Sequence, residues 1–284
     1  METSMFADIL APAMARNNAA PDDQLTADGL RLCAVCGERK QTWFGVEGVI
    51  ARRKVPCMCK CERDKLAAEE EARKAQETAL RIDRYRRQGL TDEQYRACTF
   101  AADDGADAKT SQFCRAYVAN WDWAVQNNAG LLLWGDVGGG KTFYAACIAN
   151  ALIDQGIPAT MTTIPRLVSA MSKDFGAERG NVLALVEKAP LLVLDDIGTE
   201  RDTEYSNEAV YEIINARYKA KKPMIVTTNL TMTALKSEED IARRRIYDRI
   251  VEMCTACKVT GTGRRQAAAR DKMERMMQQF GMKP

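Results

Sequence analysis

The chain has 284 residues, which is enough for one full-sized domain and a smaller module. Hydrophobic residues make up 46% of it and charged residues 28%, proportions typical of a soluble globular protein. The formal net charge of +2 is too small to imply nucleic-acid binding by itself, so such binding would have to come from local patches or from assembly.

Export and membrane insertion are both disfavoured by the sequence. The N-terminal segment has no basic start followed by an apolar core, so we expect no secretory signal. The longest apolar runs, GLLLWG and PLLVLDDIG, are too short to cross a bilayer, and we expect no membrane partner. These features predict a cytoplasmic protein. Ten cysteines in that compartment indicate metal binding or buried thiols rather than disulfides.

Five cysteines cluster near the start of the chain. Residues 1–30 are polar and weakly patterned, which predicts a flexible tail. Residues 31–62 then contain C-x₂-C, a spacer of twenty residues, and C-x-C-x-C. Because the chain has no histidine, thiolates are the remaining ligands for a structural Zn²⁺, which takes four. The predicted ligands are Cys33, Cys36, Cys59 and Cys61, with Cys57 as the alternative to one of the last pair.

Two other interpretations of this module stay open, namely reduced thiols without metal and an iron–sulfur cluster. A module this small has almost no core, so bound zinc would supply on the order of 10 kcal/mol of folding free energy. We expect it to act as a structural clip rather than as an active site.

Residues 63–95 are predicted to form a connecting helix. They are rich in helix formers and lack proline, and few of them are large and apolar, which indicates a solvated arm. The end of this segment, RIDRYRRQG, is basic. That end is either a solvated patch or a contact for nucleic acid or a partner.

Residues 96–284 alternate between helical patterns and short apolar runs. Continuously apolar strands between helices predict an α/β domain with a parallel five-stranded sheet flanked by helices. The predicted strands are GLLLWG, PATMTTI, PLLVLDD, PMIVTTN and MCTACKVTG. The predicted helices include TSQFCRAYVANWDWAVQ before the first strand and a short helix near Leu183. The cysteines expected in the core of this domain are Cys98, Cys114, Cys147, Cys254 and Cys257.

The segment GDVGGGKT fits the phosphate-loop pattern G-x-x-x-x-G-K-[ST] between a predicted strand and a predicted helix. Glycines let the loop direct its N–H groups at a phosphate on the helix N-terminus. Lysine would reach the β- and γ-phosphates of ATP, and threonine would hold Mg²⁺. The predicted nucleotide-binding residues are Gly135, Asp136, Val137, Gly138, Gly139, Gly140, Lys141 and Thr142.

Polar side chains end the next two buried strands. In LLVLDDIG, Asp195 is placed to bind Mg²⁺, usually through water. Asp196 would polarise the attacking water, since without histidine a carboxylate is the remaining candidate base. Asn229 ends PMIVTTN, and the carboxyl ends of parallel strands converge on the ligand. Asn229 would therefore orient the water or touch the γ-phosphate.

These motifs carry a family resemblance. GDVGGGKT, LLVLDDIG, IVTTNL and RRRIYDRI, in that order over about residues 99–265, resemble AAA+ ATPases of the DnaC/DnaI helicase-loader and IstB clade. The cysteine module resembles the zinc-binding region of DnaI-type and phage-encoded loaders. The resemblance implies that Lys141 and Thr142 form Walker A, that Asp195 and Asp196 form Walker B, and that Asn229 is sensor 1.

The resemblance also implies an arginine finger that reaches the ATP of a neighbouring subunit. Arg249 is the first candidate in RRRIYDRI and Arg245 the second, while GTGRR places a sensor 2 arginine at Arg264 or Arg265. Asp196 stands where many AAA+ proteins have glutamate. Its side chain is one methylene shorter, so we expect slow hydrolysis and a nucleotide that acts more as a switch.

The implied function is ATP-dependent loading of a hexameric replicative helicase onto single-stranded DNA during replication, in a bacterial or phage-infected cell. The N-terminal module would bind the helicase, and subunits joined through ATP-bridged interfaces would bind the DNA. Arg166, Lys173 and Arg179 are either DNA contacts or solvated side chains. The alternatives are an IstB-like ATPase that regulates a DNA transposase, and a zinc-dependent adaptor that binds ATP but barely hydrolyses it.

Overall fold

The computed structural model describes residues 23–46, 49–172, 177–198, 203–261 and 264–282. The chain divides into two compact units, Met1–Ala79 and Leu80–Pro284. Among the described residues, no helix is both long enough and apolar enough to cross a membrane.

The first unit contains two antiparallel strand pairs and the start of a long helix. Strand β1 (Gln24–Leu25) pairs with β2 (Arg31–Leu32), and β3 (Gln41–Phe44) pairs with β4 (Arg53–Pro56). Helix α1 (Lys60–Gly89) follows, and the division between the two units falls within it. The connecting helix is therefore present, and it begins three residues before the predicted boundary at residue 63.

Residues 23–30, which the sequence assigned to the tail, are part of this ordered unit. Leu30 is buried, and its N–H donates to the hydroxyl of Thr26 at 2.9 Å. The turn that contains these residues brings β1 back beside β2. The rest of the predicted tail, residues 1–22, lies outside the described residues.

The second unit is a five-stranded parallel sheet with helices on both faces, as the sequence predicts. The strand order is β6–β7–β8–β5–β9. The strands are β5 (Gly130–Trp134), β6 (Ala159–Thr163), β7 (Leu191–Ile197), β8 (Met224–Thr228) and β9 (Cys254–Lys258). The helices are α2 (Glu93–Ala97), α3 (Ala108–Ala119), α4 (Trp121–Gln126), α5 (Lys141–Asp154), α6 (Ile164–Ser172), α7 (Ala177–Lys188), α8 (Glu204–Ala220), α9 (Met232–Lys236), α10 (Ile241–Met253) and α11 (Arg264–Gln279).

Several helices differ from the sequence-based expectation, and α9 was not predicted. The helix predicted over TSQFCRAYVANWDWAVQ is divided into α3 and α4 at Asn120, whose side chain donates to the Ala116 carbonyl at 2.8 Å and so competes with the helical pattern. The short helix predicted near Leu183 extends over all of α7. Helix α11 was not predicted.

The continuous apolar runs are explained by burial on both faces of the sheet. In β7, Leu192 and Leu194 belong to one hydrophobic cluster, whereas Leu191 and Val193 belong to the other. Side chains alternate between the two faces of a strand, so a strand covered on both sides needs an apolar residue at every position. Of the five cysteines expected in the core, Cys114, Cys147 and Cys254 are buried, and Cys98 and Cys257 are half-buried.

A buried arginine ties the amino-terminal ends of two central strands together. Arg217 of α8 is 0% exposed, and its guanidinium donates to the carbonyls of Val186 (2.8 Å), Ala189 (2.7 Å), Pro190 (3.0 Å) and Pro223. Burial lowers its pKa to about 10, so the side chain is still charged at neutral pH. The carbonyls belong to the end of α7 and to the residues just before β7 and β8. A single cation thus fixes where both strands begin.

We expect Arg217→Met to lower the free energy of unfolding of the second unit by about 3–5 kcal/mol, because it leaves buried carbonyls without a donor. Urea unfolding followed by circular dichroism measures the change. Arg87→Met is the matched control, since Arg87 is exposed and forms an ion pair with Asp83 in its own helix. That control should cost less than about 1 kcal/mol. Equal effects of the two substitutions would contradict the role of Arg217.

Candidate functional site

The phosphate loop lies where the sequence places it, between β5 and α5. Helix α5 begins at Lys141, and its N-cap Gly140 has φ 101°, a left-handed conformation that side chains rarely adopt. A Cβ atom on Gly139 would lie 2.9 Å from the carbonyl oxygen of Gly261. Glycine at both positions therefore lets the loop turn sharply and lets the segment after β9 close upon it.

The ammonium group of Lys141 lies at the centre of the site. The side chain is buried, and its Nζ donates to the carbonyls of Gly135 (2.9 Å) and Asp136 (2.8 Å) and to Oδ1 of Asn229 (2.8 Å). The first two partners belong to the loop, and the third follows β8. The lysine thus joins the phosphate loop to the end of a neighbouring strand.

Asp195, at the carboxyl end of β7, accepts hydrogen bonds from three hydroxyl groups. Its Oδ1 accepts from Thr142 (2.9 Å) and Thr227 (2.7 Å), and its Oδ2 accepts from Tyr95 (3.2 Å). Thr227 and Tyr95 were not among the site residues predicted from the sequence. Burial, followed by the nearby Asp195 carboxylate, raises the pKa of Tyr95, so the phenol stays protonated as a donor. These contacts fix the carboxylate beside Thr142.

Asp196 has an unusual backbone conformation. Its φ is 61°, and the register between β7 and β8 shifts between Leu194 and Ile197, which marks a β-bulge. Its N–H donates to the Thr227 hydroxyl at 2.8 Å, and its Oδ1 accepts from Nδ2 of Asn229 at 2.8 Å. A left-handed non-glycine residue costs on the order of 1–3 kcal/mol and is frequent at functional sites. The strained residue here is the predicted base.

A cavity of about 490 Å³ opens over these groups. Its walls include the loop, both carboxylates and Asn229, and, on the other side, Tyr95, Cys98 and Phe143. The ammonium group of Lys141 and the hydroxyl groups of Thr142 and Tyr95 face a space of this size, together with four carboxylates, those of Asp92, Asp104, Asp195 and Asp196. That donor set fits phosphates together with Mg²⁺, which prefers oxygen ligands. The residues therefore fit a magnesium-bound nucleotide.

The segment after β9 is hydrogen-bonded to the N-terminus of α3. Asp107 accepts from the N–H (2.8 Å) and the hydroxyl (3.0 Å) of Thr260 and from the N–H of Thr110. Burial alone would raise the pKa of Asp107, but these hydrogen bonds outweigh it and lower the pKa. The side chains of Arg264 and Arg265, the sensor 2 candidates, lie outside the described part of α11.

The two candidate finger arginines have different surroundings. The guanidinium of Arg249 lies 4.5 Å from the ring centre of Tyr211 and 5.5 Å from that of Tyr218. It is half-buried against its own unit. Arg245, one turn earlier in α10, is exposed.

The proposed DNA-contacting residues also differ from one another. Arg166 donates to the hydroxyl of Thr91 at 3.0 Å, and Arg179 forms an ion pair with Glu212. Lys173 lies outside the described residues. The first two side chains therefore have partners within the second unit, and their role in DNA binding stays a prediction.

Four of the five N-terminal thiols form a cluster in the first unit. Their Sγ atoms all lie within 4.8 Å of one another, and tetrahedral Zn²⁺ with Zn–S bonds of about 2.3 Å requires sulfurs about 3.8 Å apart. Cys57 is not in the cluster, and its thiol donates to the Arg39 carbonyl at 3.2 Å. Of the predicted alternatives, the structure brings together Cys33, Cys36, Cys59 and Cys61.

The elements of the unit explain this arrangement. The turn after β2 supplies one pair of cysteines, and the start of α1 supplies the other. Backbone N–H groups of Cys61 and Glu38 lower the pKa of the Cys36 thiol to about 6, which favours a thiolate. In contrast, burial raises the pKa of Cys59, and the hydrogen bond with Cys36 raises that of Cys61. The donor set therefore fits Zn²⁺.

Comparison with known proteins supports the assignment of the second unit. Replicative helicase loader DnaI of Bacillus subtilis (strain 168) is 27% identical over 147 residues, which cover 48% of this chain and 47% of DnaI. Replicative helicase loader DnaC of Escherichia coli (strain K12) is 30% identical over 138 residues, which cover 46% of this chain and 55% of DnaC. The chain thus spans about half the length of the curated relatives it matches.

The structure is similar to a crystal structure of the DnaC helicase loader, with a TM-score of 0.51 and 26% identity. The superposition covers 60% of this chain and 100% of the DnaC chain. The AAA+ P-loop fold predicted from the sequence is thereby confirmed. The family model described as IstB-like ATP binding protein matches residues 62–272, well over half of the chain. The chain therefore belongs to the IstB-like ATP-binding family, and it is similar in sequence to the helicase loaders DnaC and DnaI.

Proposed function

We propose that this protein is an ATPase that loads a hexameric replicative helicase onto single-stranded DNA during replication. ATP hydrolysis is supported by the hydrogen-bond network that joins Lys141, Asn229 and Asp196. Asp195 and Thr142 lie beside it and are hydrogen-bonded to each other. The two curated relatives described as helicase loaders support the biological part. Because the match spans about half of each relative, the helicase and DNA partners are proposals.

The site would bind ATP by exchanging partners around Lys141. Its Nζ would leave the loop carbonyls for oxygens of the β- and γ-phosphates. The Thr142 hydroxyl and the Asp195 carboxylate, already 2.9 Å apart, would hold hydrated Mg²⁺. Bound Mg²⁺ neutralises negative charge on the phosphates.

Asp196 would polarise the attacking water, and Asn229 would hold its carboxylate in position. The Nδ2 of Asn229 donates to Asp196 while its Oδ1 accepts from Lys141, so one amide links the base to the phosphate-binding lysine. Aspartate reaches less far than glutamate, so hydrolysis would be slow. ATP binding would promote assembly, and hydrolysis would drive release.

An arginine from a neighbouring subunit would complete the site, and α10 supplies the candidates. We propose Arg245 rather than Arg249 as the finger. Arg249 is stacked on Tyr211 and Tyr218 of its own unit, whereas Arg245 is exposed and able to reach a neighbour. A finger supplied in trans is worth ~10³ or more in rate.

The first unit would dock onto the helicase, with zinc holding its fold. Several of its large apolar side chains are exposed, which is typical of a protein-binding surface. These residues are Leu25, Val35, Val46, Val49 and Ile50. Self-association through ATP-bridged interfaces would form the DNA-binding assembly of the second unit. This activity would take place in the cytoplasm of a bacterial or phage-infected cell.

We expect the purified protein to hold one zinc ion per chain, bound by the four-thiol cluster. Cys59→Ser should lose the ion because three thiolates remain, whereas Cys57→Ser should keep it because that thiol lies outside the cluster. Metal content is measured by atomic absorption after dialysis against a mild chelator. Equal zinc loss from the two variants, or iron in place of zinc, would contradict this ligand set.

We expect ATP turnover to rise with protein concentration and to depend on Arg245. In Arg245→Ala, the concentration-dependent rate of ATP hydrolysis should fall about 10³-fold, and the melting temperature should not change. Arg249→Ala should lower the melting temperature, because it exposes Tyr211 and Tyr218. Phosphate release is measured over a concentration series, with Lys141→Ala as the baseline.

Two results would contradict these assignments. Undiminished concentration-dependent turnover in Arg245→Ala would contradict the choice of Arg245, and the same result in both variants would exclude Arg249 as well. Equal phosphate release from Lys141→Ala and from the unsubstituted protein would indicate an adaptor that binds ATP but barely hydrolyses it.

The helicase partner is tested by affinity purification. Tagged protein is incubated in an extract of its source cells with a slowly hydrolysed ATP analogue, and bound proteins are identified by mass spectrometry. We expect a replicative helicase in stoichiometric amount, and much less with Lys141→Ala, since ATP promotes assembly. A transposase, or no helicase, would contradict the loader proposal and leave the ATP and zinc sites unaffected.

A further inference from the structure

The hairpin of β3 and β4 carries an aromatic ring that is in contact with two cations. Trp43 is directly opposite Lys54 in the strand pairing, and its ring centre lies 5.4 Å from Nζ of Lys54. Cζ of Arg52, two residues before Lys54 and therefore on the same face, lies 5.8 Å from the same ring. The Trp43 face of the hairpin is defined by these three residues.

The Trp43 ring is not a core residue. It is 38% exposed on a two-stranded sheet, whereas Trp121, a core tryptophan of the second unit, is 6% exposed. The flanking charges also have little acidic compensation in the sequence. Residues 39–54 contain five basic residues, of which Lys40 forms an ion pair with Asp23, and one acidic residue, Glu47. The hairpin thus presents an aromatic ring with two cations over it.

We propose that the Trp43 face binds single-stranded nucleic acid. An exposed indole offers a stacking surface to any base, and adjacent cations attract the phosphates on either side of that base. Lys54 already donates to the Gly29 carbonyl at 2.6 Å, which fixes the ammonium beside the ring and leaves two of its protons for a phosphate. Charge complementarity therefore favours a polyanion with flat bases.

The Trp43 face is distinct from the apolar residues proposed for helicase docking. Successive side chains of a strand point to opposite faces, so Phe44, which is paired with Arg53, lies on the other side of the hairpin. The apolar residues Val46, Val49 and Ile50 lie between the two strands rather than in them. One hairpin thus offers two surfaces of different chemistry.

This binding goes beyond the proposed function, because it places a nucleic-acid contact in the first unit rather than in the assembly formed by the second unit. It requires neither ATP nor oligomer formation. It is therefore tested on the full-length, zinc-loaded protein without nucleotide, where failure to recover a helicase would not affect the result.

The experiment compares two neighbouring residues of one strand. Fluorescence anisotropy with labelled oligo(dT) measures the dissociation constants of the unsubstituted protein, Trp43→Leu and Phe44→Leu, after zinc content has confirmed that each is folded. Loss of one base stack should weaken binding about five- to hundredfold in Trp43→Leu. Phe44→Leu should bind like the unsubstituted protein, since its side chain lies on the opposite face.

Salt dependence separates the roles of the ring and the cations. Arg52→Gln should reduce the slope of log K against log salt concentration by about 0.7, the value for one phosphate contact on a single strand. Trp43→Leu should weaken binding without changing that slope. A slope unchanged by Arg52→Gln would overturn the assignment of Arg52 to a phosphate.

Photo-crosslinking locates the contact directly. Oligonucleotides with 5-iodouracil should crosslink to Trp43 and not to Trp123, which is 61% exposed in the second unit and serves as the control. Crosslinks confined to the second unit, equal weakening by Trp43→Leu and Phe44→Leu, or duplex DNA that competes as well as single strands would each overturn the proposal. Loss of helicase recovery in Trp43→Leu with unchanged nucleic-acid binding would reassign the surface to a protein partner.

Discussion

The pairing of β7 with β8 is the constraint on which the nucleotide site depends. Regular pairing continues to Leu194 and Val226, and then one extra residue enters β7, so that Ile197 pairs with Thr228. In a regular strand two consecutive aspartates would point to opposite faces of the sheet. The bulge and the left-handed backbone of Asp196 break this alternation, so both carboxylates join one hydrogen-bond network. Arg217 fixes the opposite ends of the same two strands.

Much of this arrangement could be predicted from the sequence, because the signals are local. Apolar runs that end in polar residues identify buried parallel strands, and the carboxyl ends of such strands meet at one edge. Together with the phosphate-loop motif, this rule predicts that Lys141, Asp195 and Asn229 lie close to one another. The β-bulge could not be predicted, because two adjacent aspartates are compatible with a regular strand as well as with a bulged one.

The residues that sequence reasoning missed act over long chain separations. Tyr95 donates to a carboxylate one hundred residues away, and its short helix has no periodicity that marks one face as buried. Arg217 lies in INARYKAKK, where it resembles the exposed basic residues around it. Similarly, spacing left Cys57 as an alternative metal ligand, and only its position after β4, with its thiol on a backbone carbonyl, separates it from the cluster. Such distinctions are set by tertiary contacts.

A metal ion held by the four clustered thiols would also explain why the first unit keeps aromatic and aliphatic side chains at its surface. Among its described residues, the buried apolar ones are Leu30 and two of the clustered cysteines, Cys33 and Cys59. So few buried side chains cannot offset the conformational entropy of the unit, whereas four thiolates on one Zn²⁺ supply on the order of 10 kcal/mol. If a metal took the place of the core in this way, Trp43 and Phe44 would not be required for folding. They are left on the surface, where binding to a partner can use them.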